Sequence, residues 1–140
     1  MAFSFQNQNI DFKISKPRIL KKRLQEVVQH YGYTVGEINY IFCSESIILE
    51  INRKYLNHNY YTDVITFPYT VGKVISSDIF VSIPTVTSNA QKFKQSFYSE
   101  LQRVMVHAIL HLVGFADESP SQKIDMTQAE NFWLSKITAS

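Results

Sequence analysis

The spacing of apolar residues changes several times along the chain, and each change marks an element. Residues 3–10, FSFQNQNI, alternate well enough for a strand. The next stretch, SKPRILKKRLQEVVQHYGY, repeats at a helical interval: Ile19, Leu20, Leu24, Val27 and Val28 recur on one face, Pro17 suits the first turn, and Gly32 stands where a helix stops. VGEINYIF predicts a second strand. SESIILEINRKYLN predicts a second helix, with Ser44 as its cap and Ile47, Ile48, Ile51 and Tyr55 spaced for burial. TDVITFPY and VISSDIFVSI read as two more strands around a turn at Gly72. From there the pattern is helical: PTVTSNAQKFKQ opens on Pro84, SFYSELQRVMVHAILHLVG ends at Gly114, and SPSQKIDMTQAENFWLSKI restarts at a Ser119-Pro120 cap. These elements predict an α+β fold, a single domain with about four strands in a mixed sheet and about five helices. Phe97, Tyr98, Phe132 and Trp133 fall at helical spacings among aliphatics, which suits a core better than a base-stacking surface.

A length of 140 residues fits one domain, expected over 1–140, and its 45% hydrophobic and 19% charged content excludes disorder and membrane embedding. No apolar run approaches the roughly 18 residues of a membrane span. The start, MAFSFQNQNI, lacks the basic end and apolar core of a signal peptide, so the expected place is the cytoplasm, with no membrane partner. Cys43 is the lone cysteine and reads as a buried thiol closing the run INYIFC. The net charge of +2 is small but uneven. Lys13, Lys16, Arg18, Lys21, Lys22 and Arg23 form an acid-free cluster, whereas Asp117, Glu118, Asp125 and Glu130 outnumber the bases after Phe115. Such a cluster is an electrostatic footprint for a phosphate backbone, and Lys21, Lys22 and Arg23 are its candidate RNA contacts; a solvated helix face is the competing explanation.

The segment RVMVHAILHLVGFADE asks why an apolar helix carries two imidazoles. Residues four apart lie on one helical face, so His107 and His111 can address a single point. Gly114 permits the left-handed turn that reverses the chain, and the return carries Asp117 and Glu118 back toward the histidines. Two histidines, one carboxylate and an open position suit catalytic zinc, and also non-haem iron(II). Two satisfied core histidines are the alternative, but the helix stop and the loop acid beside them favour a metal. Metalloproteases of the H-E-x-x-H type place a glutamate after the first histidine, where this chain has Ala108, so peptide hydrolysis by that route is disfavoured. Asp63 and Asp78, each beside a strand, are candidates for turn hydrogen bonds or for positioning a site. His30 suits a helix C-terminus and is given no catalytic role.

HAILHLVGFAD resembles the H-G-x-L-H-L-x-G-Y-D-H signature of the YbeY family of rRNA maturation factors, metal-dependent endoribonucleases. INRKYLNHNYYTDVITFPY is similar to the family's L-N-x-x-Y-R-x-x-D-x-P-T-D-V-L-S-F-P segment, and SSDIFVSIP to its G-D-I strand. These three stretches run in order from Ile51 to Asp117. The resemblance implies a zincin-like metal-site helix in the C-terminal half, one zinc per chain, His107 and His111 as catalytic ligands, and action on rRNA and ribosomal particles. A small-subunit ribosomal protein and the GTPase Era are its implied partners. Two departures stand out. The family's third histidine falls on Asp117, a conservative exchange because a carboxylate binds zinc at nearly the imidazole distance. The family's arginine falls on Leu56, which cannot hold a phosphate; Arg53, Lys54 or His58 are the nearby candidates to compensate. The expected function is therefore a zinc-dependent endoribonuclease of 16S rRNA processing and ribosome quality control. A non-catalytic ribosome-assembly factor with a structural zinc is the alternative, and a metal hydrolase of small molecules or peptides a third reading.

Overall fold

The computed structural model describes residues 2–55 and 62–138. The order of elements is β1 (Ala2–Gln8), α1 (Pro17–His30), β2 (Thr34–Cys43), α2 (Glu45–Tyr55), β3 (Val64–Pro68), β4 (Val74–Ser82), α3 (Ile83–Lys92), α4 (Phe97–Leu112) and α5 (Pro120–Thr138). The strands form one mixed sheet ordered β1-β2-β4-β3, in which β1 and β4 run parallel to β2 and β3 runs antiparallel to β4. The α+β reading of the pattern is thus correct in class and, among the described residues, in strand number and in helix number.

Strand alternation divides the core between the two faces of the sheet. Ile38, Tyr40, Phe42, Ile75, Ile79 and Val81 pack on one face against the buried sides of α1 and α4, while Cys43 and Ile65 join Ile48 and Ile51 of α2 on the other. β2 can approach β4 closely at its bulge because residue 36 is glycine, where a Cβ would collide with Ser76 Oγ and crowd the Ile75 carbonyl. The caps foreseen at Ser44 and Ser119 are present: their hydroxyls accept from the backbone N–H of Ile47 and of Gln122. Cys43 is buried, and burial pushes its thiol up to about 12.

Four apolar positions expected to be buried are not. Ile19 and Tyr98 line a shallow cleft where the start of α1 meets α4, Ile19 next to the buried Leu20 and Tyr98 three residues before the buried Leu101. Tyr55 is exposed on the last turn of α2, with Lys54 Nζ over its ring, and Phe132 is exposed beside the buried Trp133. The helical period identifies a face, but it does not say where a neighbouring element ends.

Tyr40 anchors the functional helix. Its fully buried hydroxyl donates to the carbonyl of Met105 at 2.7 Å, fixing the middle of α4 to the central strand β2. Burial pushes the ionisation of this phenol well above the ordinary tyrosine value, so the hydroxyl remains a donor.

Candidate metal centre

α4 is apolar on most of its circumference because it lies between the sheet and α5, yet Arg103, His107 and His111 form one polar stripe at four-residue intervals. The helix ends in a Schellman turn. Gly114, at φ 110°, lets its own N–H reach the carbonyl of His111 while the N–H of Phe115 reaches that of Leu110. The reversal returns Asp117 to the stripe, as the spacing predicted.

Asp117 Oδ2 lies 3.5 Å from His107 Nε2 and 3.5 Å from His111 Nε2. The donor atoms of the three side chains all fall within 4.8 Å of one another, and together they form a metal-binding group. The fit to a divalent ion is chemical as well as geometric. Two ligands about 2.0–2.1 Å from a tetrahedral ion stand roughly 3.3–3.4 Å apart, close to the 3.5 Å between Asp117 Oδ2 and each imidazole Nε2. Three lone-pair donors facing one point also repel each other unless a proton or a cation lies between them.

Behind the ligands is a small polar cavity of about 130 Å³ lined by Asp63, Glu100, Arg103, His107 and Glu130. Glu130 Oε2 is 2.6 Å from His107 Nδ1, and its Oε1 accepts from Arg103 NH1 at 2.9 Å. Burial pushes the Asp63 carboxyl up, against its own and Val64's backbone N–H, Thr62 and the His107 charge. Burial likewise raises Glu100, with Asp63 and Glu130 adding to it and Arg103 opposing. For His107 burial works downward, but the hydrogen bond and charge of Glu130, with Asp117 and Asp63 beyond, hold it above its ordinary 6.5.

The last shift predicts how metal binding depends on pH. A ligand imidazole must be neutral, so with a pKa above 6.5 protons compete from a correspondingly higher pH. Metal affinity is expected to fall as pH falls through that range, by about tenfold per pH unit for each proton displaced, and to level off above it. Chelator competition between pH 6 and 8 measures this, and a flat profile contradicts it. The sign in the metal-free protein follows the same shift: this histidine stabilises the fold below its unfolded pKa and loses that contribution as pH rises through the folded value.

The other candidates are dispersed. Glu118 is exposed and donates its backbone N–H to Gln122 Oε1 rather than joining the donor group. Lys22 is exposed on α1, Lys21 Nζ lies over the Phe5 ring, and Arg23 pairs with Glu26 at 2.9 Å. Arg53 and Lys54 are exposed at the end of α2, while Leu56 and His58 lie outside the described residues. Ala108 is buried in the core. Asp78 accepts from Asn39 and Tyr69 across the other face of the sheet, and His30 packs edge-on against Tyr31 and Trp133. Neither Arg103 nor Glu130 was singled out by motif, although a signal existed: Glu130 falls in register with the buried Met126, Trp133 and Ile137 of α5.

A family profile described as Endoribonuclease YbeY matches residues 3–138. A Phocaeicola vulgatus protein named Endoribonuclease YbeY is 47% identical over 135 residues, covering 96% of this chain and 98% of that protein. One of the same name from Bacteroides thetaiotaomicron is 44% identical, covering 94% and 96%. A solution structure of a Thermotoga maritima protein superimposes with a TM-score of 0.66 at 26% identity, covering 96% of this chain and 88% of that one.

Proposed function

The chain belongs to the Endoribonuclease YbeY family, and from that premise we propose that it is a zinc-dependent endoribonuclease of rRNA maturation. The reading takes the chain as one hydrolase domain working on 16S rRNA within ribosomal particles, in the cytoplasm. Among the described residues no helix is long and apolar enough to cross a membrane. By the same resemblance, its partners include a small-subunit ribosomal protein and Era.

One observation carries the catalytic reading over a structural zinc: the donors are open to solvent on one side. The side chains of His111 and Asp117 are 36% and 40% exposed, and three protein donors leave a coordination position free. Structural zinc sites are closed by four ligands. Zinc held by His107, His111 and Asp117 supplies Lewis acidity and a nucleophile at neutral pH. The protein's share is orientation. α4 is locked to β2 through Tyr40, the Schellman turn delivers Asp117, and the exposed cations of α1 offer a surface for the phosphate backbone.

The test is cleavage of precursor rRNA by protein stripped of metal and then reloaded with zinc. Activity that vanishes and returns supports the enzyme; RNA binding without cleavage in either state supports the assembly-factor alternative. Reversing Lys21, Lys22 and Arg23 to glutamate is expected to weaken RNA binding and flatten its salt dependence while leaving zinc content unchanged. If the salt slope is retained, the cluster is only a solvated face.

A further inference from the structure

We infer that Glu130 is a positioning residue for the metal ligand His107, held in place by Arg103, so that α5 takes part in building the centre. The inference rests on the metal reading above and goes beyond it, since neither residue belongs to the donor group.

His107 presents its two ring nitrogens to different neighbours. Nε2 faces Asp117 Oδ2 at 3.5 Å, and Nδ1 lies 2.6 Å from Glu130 Oε2. A nitrogen that binds metal must carry a lone pair, so in the working state the ring proton sits on Nδ1 and donates to Glu130. The carboxylate thereby selects the tautomer, fixes the plane of the ring and makes Nε2 a stronger donor.

Glu130 is held firmly enough for this task. It is only 7% exposed, a position that a lone carboxylate tolerates poorly. Each of its oxygens has a separate partner: Oε2 takes His107, and Oε1 accepts from Arg103 NH1 at 2.9 Å. Arg103 NH2 donates to Asn131 Oδ1 at 2.8 Å, so one guanidinium grips two consecutive residues of α5. Rotating the carboxylate away from His107 also breaks its bond to Arg103. An ion pair that merely fastened α5 to α4 would need Arg103 and Glu130 alone; the short contact to Nδ1 is what such a role leaves unexplained.

The experiment compares Glu130→Gln, Glu130→Ala and His107→Ala with the parent protein. The readouts are zinc affinity by chelator competition, imidazole ¹⁵N spectra of the zinc-loaded protein, melting of the metal-free protein, and kcat and KM on RNA. Glutamine keeps the volume of glutamate, but its amide cannot accept from both His107 and Arg103. Glu130→Gln is expected to lower zinc affinity about tenfold and Glu130→Ala by up to about 100-fold. In both variants kcat should fall while KM changes little, and the His107 Nδ1–H resonance should lose its strong-hydrogen-bond shift. Metal-free Glu130→Gln should still melt in one cooperative transition, below that of the parent because the charged contacts to Arg103 and His107 are weakened. Wild-type zinc affinity and an unmoved His107 resonance in both Glu130 variants, with zinc lost in His107→Ala, overturn the positioning role and leave the metal assignment standing. Zinc retained by His107→Ala overturns both.

Discussion

Replacing His111 with alanine is expected to lower RNA cleavage by roughly 10³-fold, the result of losing several kcal/mol of metal-derived charge stabilisation at about 1.4 kcal/mol per decade. The substitution is clean because the side chain is 36% exposed on the last turn of α4, outside the buried core, with its ring against that of His107. Thermal melting of the metal-free variant should therefore stay near that of the parent, which separates a damaged site from a damaged fold. kcat/KM on precursor rRNA, measured with zinc in excess, gives the effect. A variant that folds and cleaves at the parent rate would remove the metal from the reaction.

The second large effect is expected at Asp117, where the chain departs from the three-histidine pattern. Asp117→Ala leaves two protein donors and should weaken zinc by more than the roughly 10–100-fold typical of losing a supporting residue. Asp117→His should bind zinc at least as well as the parent, because the loop side chain is 40% exposed and has room for an imidazole. Glu118→Ala should keep its zinc, since Glu118 is exposed and its backbone N–H is engaged by Gln122, away from the donor group. Chelator competition across the three variants gives the order. Zinc retained by Asp117→Ala but lost by Glu118→Ala would move the third ligand by one residue.

Local features of this chain are easier to read from sequence than contacts between distant elements. His107, His111, Gly114 and Asp117 lie within a single helix and its reversal, where the helical repeat and the tolerance of glycine for positive φ decide the geometry. The strands and caps were legible for the same reason. Glu130 was not, because its partner His107 is 23 residues away and only the docking of α5 on α4 brings them together. Its trace in the sequence is an acid in an apolar register, which means little until the neighbouring helix is known. The exposure of Tyr55 and Phe132 escaped for a related reason: the helical period groups apolar positions on a face, but which of them are covered depends on neighbours distant in sequence. Asp63, for which the sequence leaves both a turn hydrogen bond and a positioning role open, is one wall of the cavity behind His107.

The buried Trp133 gives the molecule a built-in optical probe. It is the only tryptophan in the chain, so the emission band of the indole has a single origin. Its ring stands edge-on to His30, and its Nε1–H donates to Tyr31 Oη at 3.1 Å, both groups belonging to the end of α1. Because Trp133 lies on the same helix as Glu130 and less than one turn beyond it, indole fluorescence reports the detachment of α5 directly. Loosening of the helix behind the metal centre can thus be followed by wavelength and quenching alone, without a label.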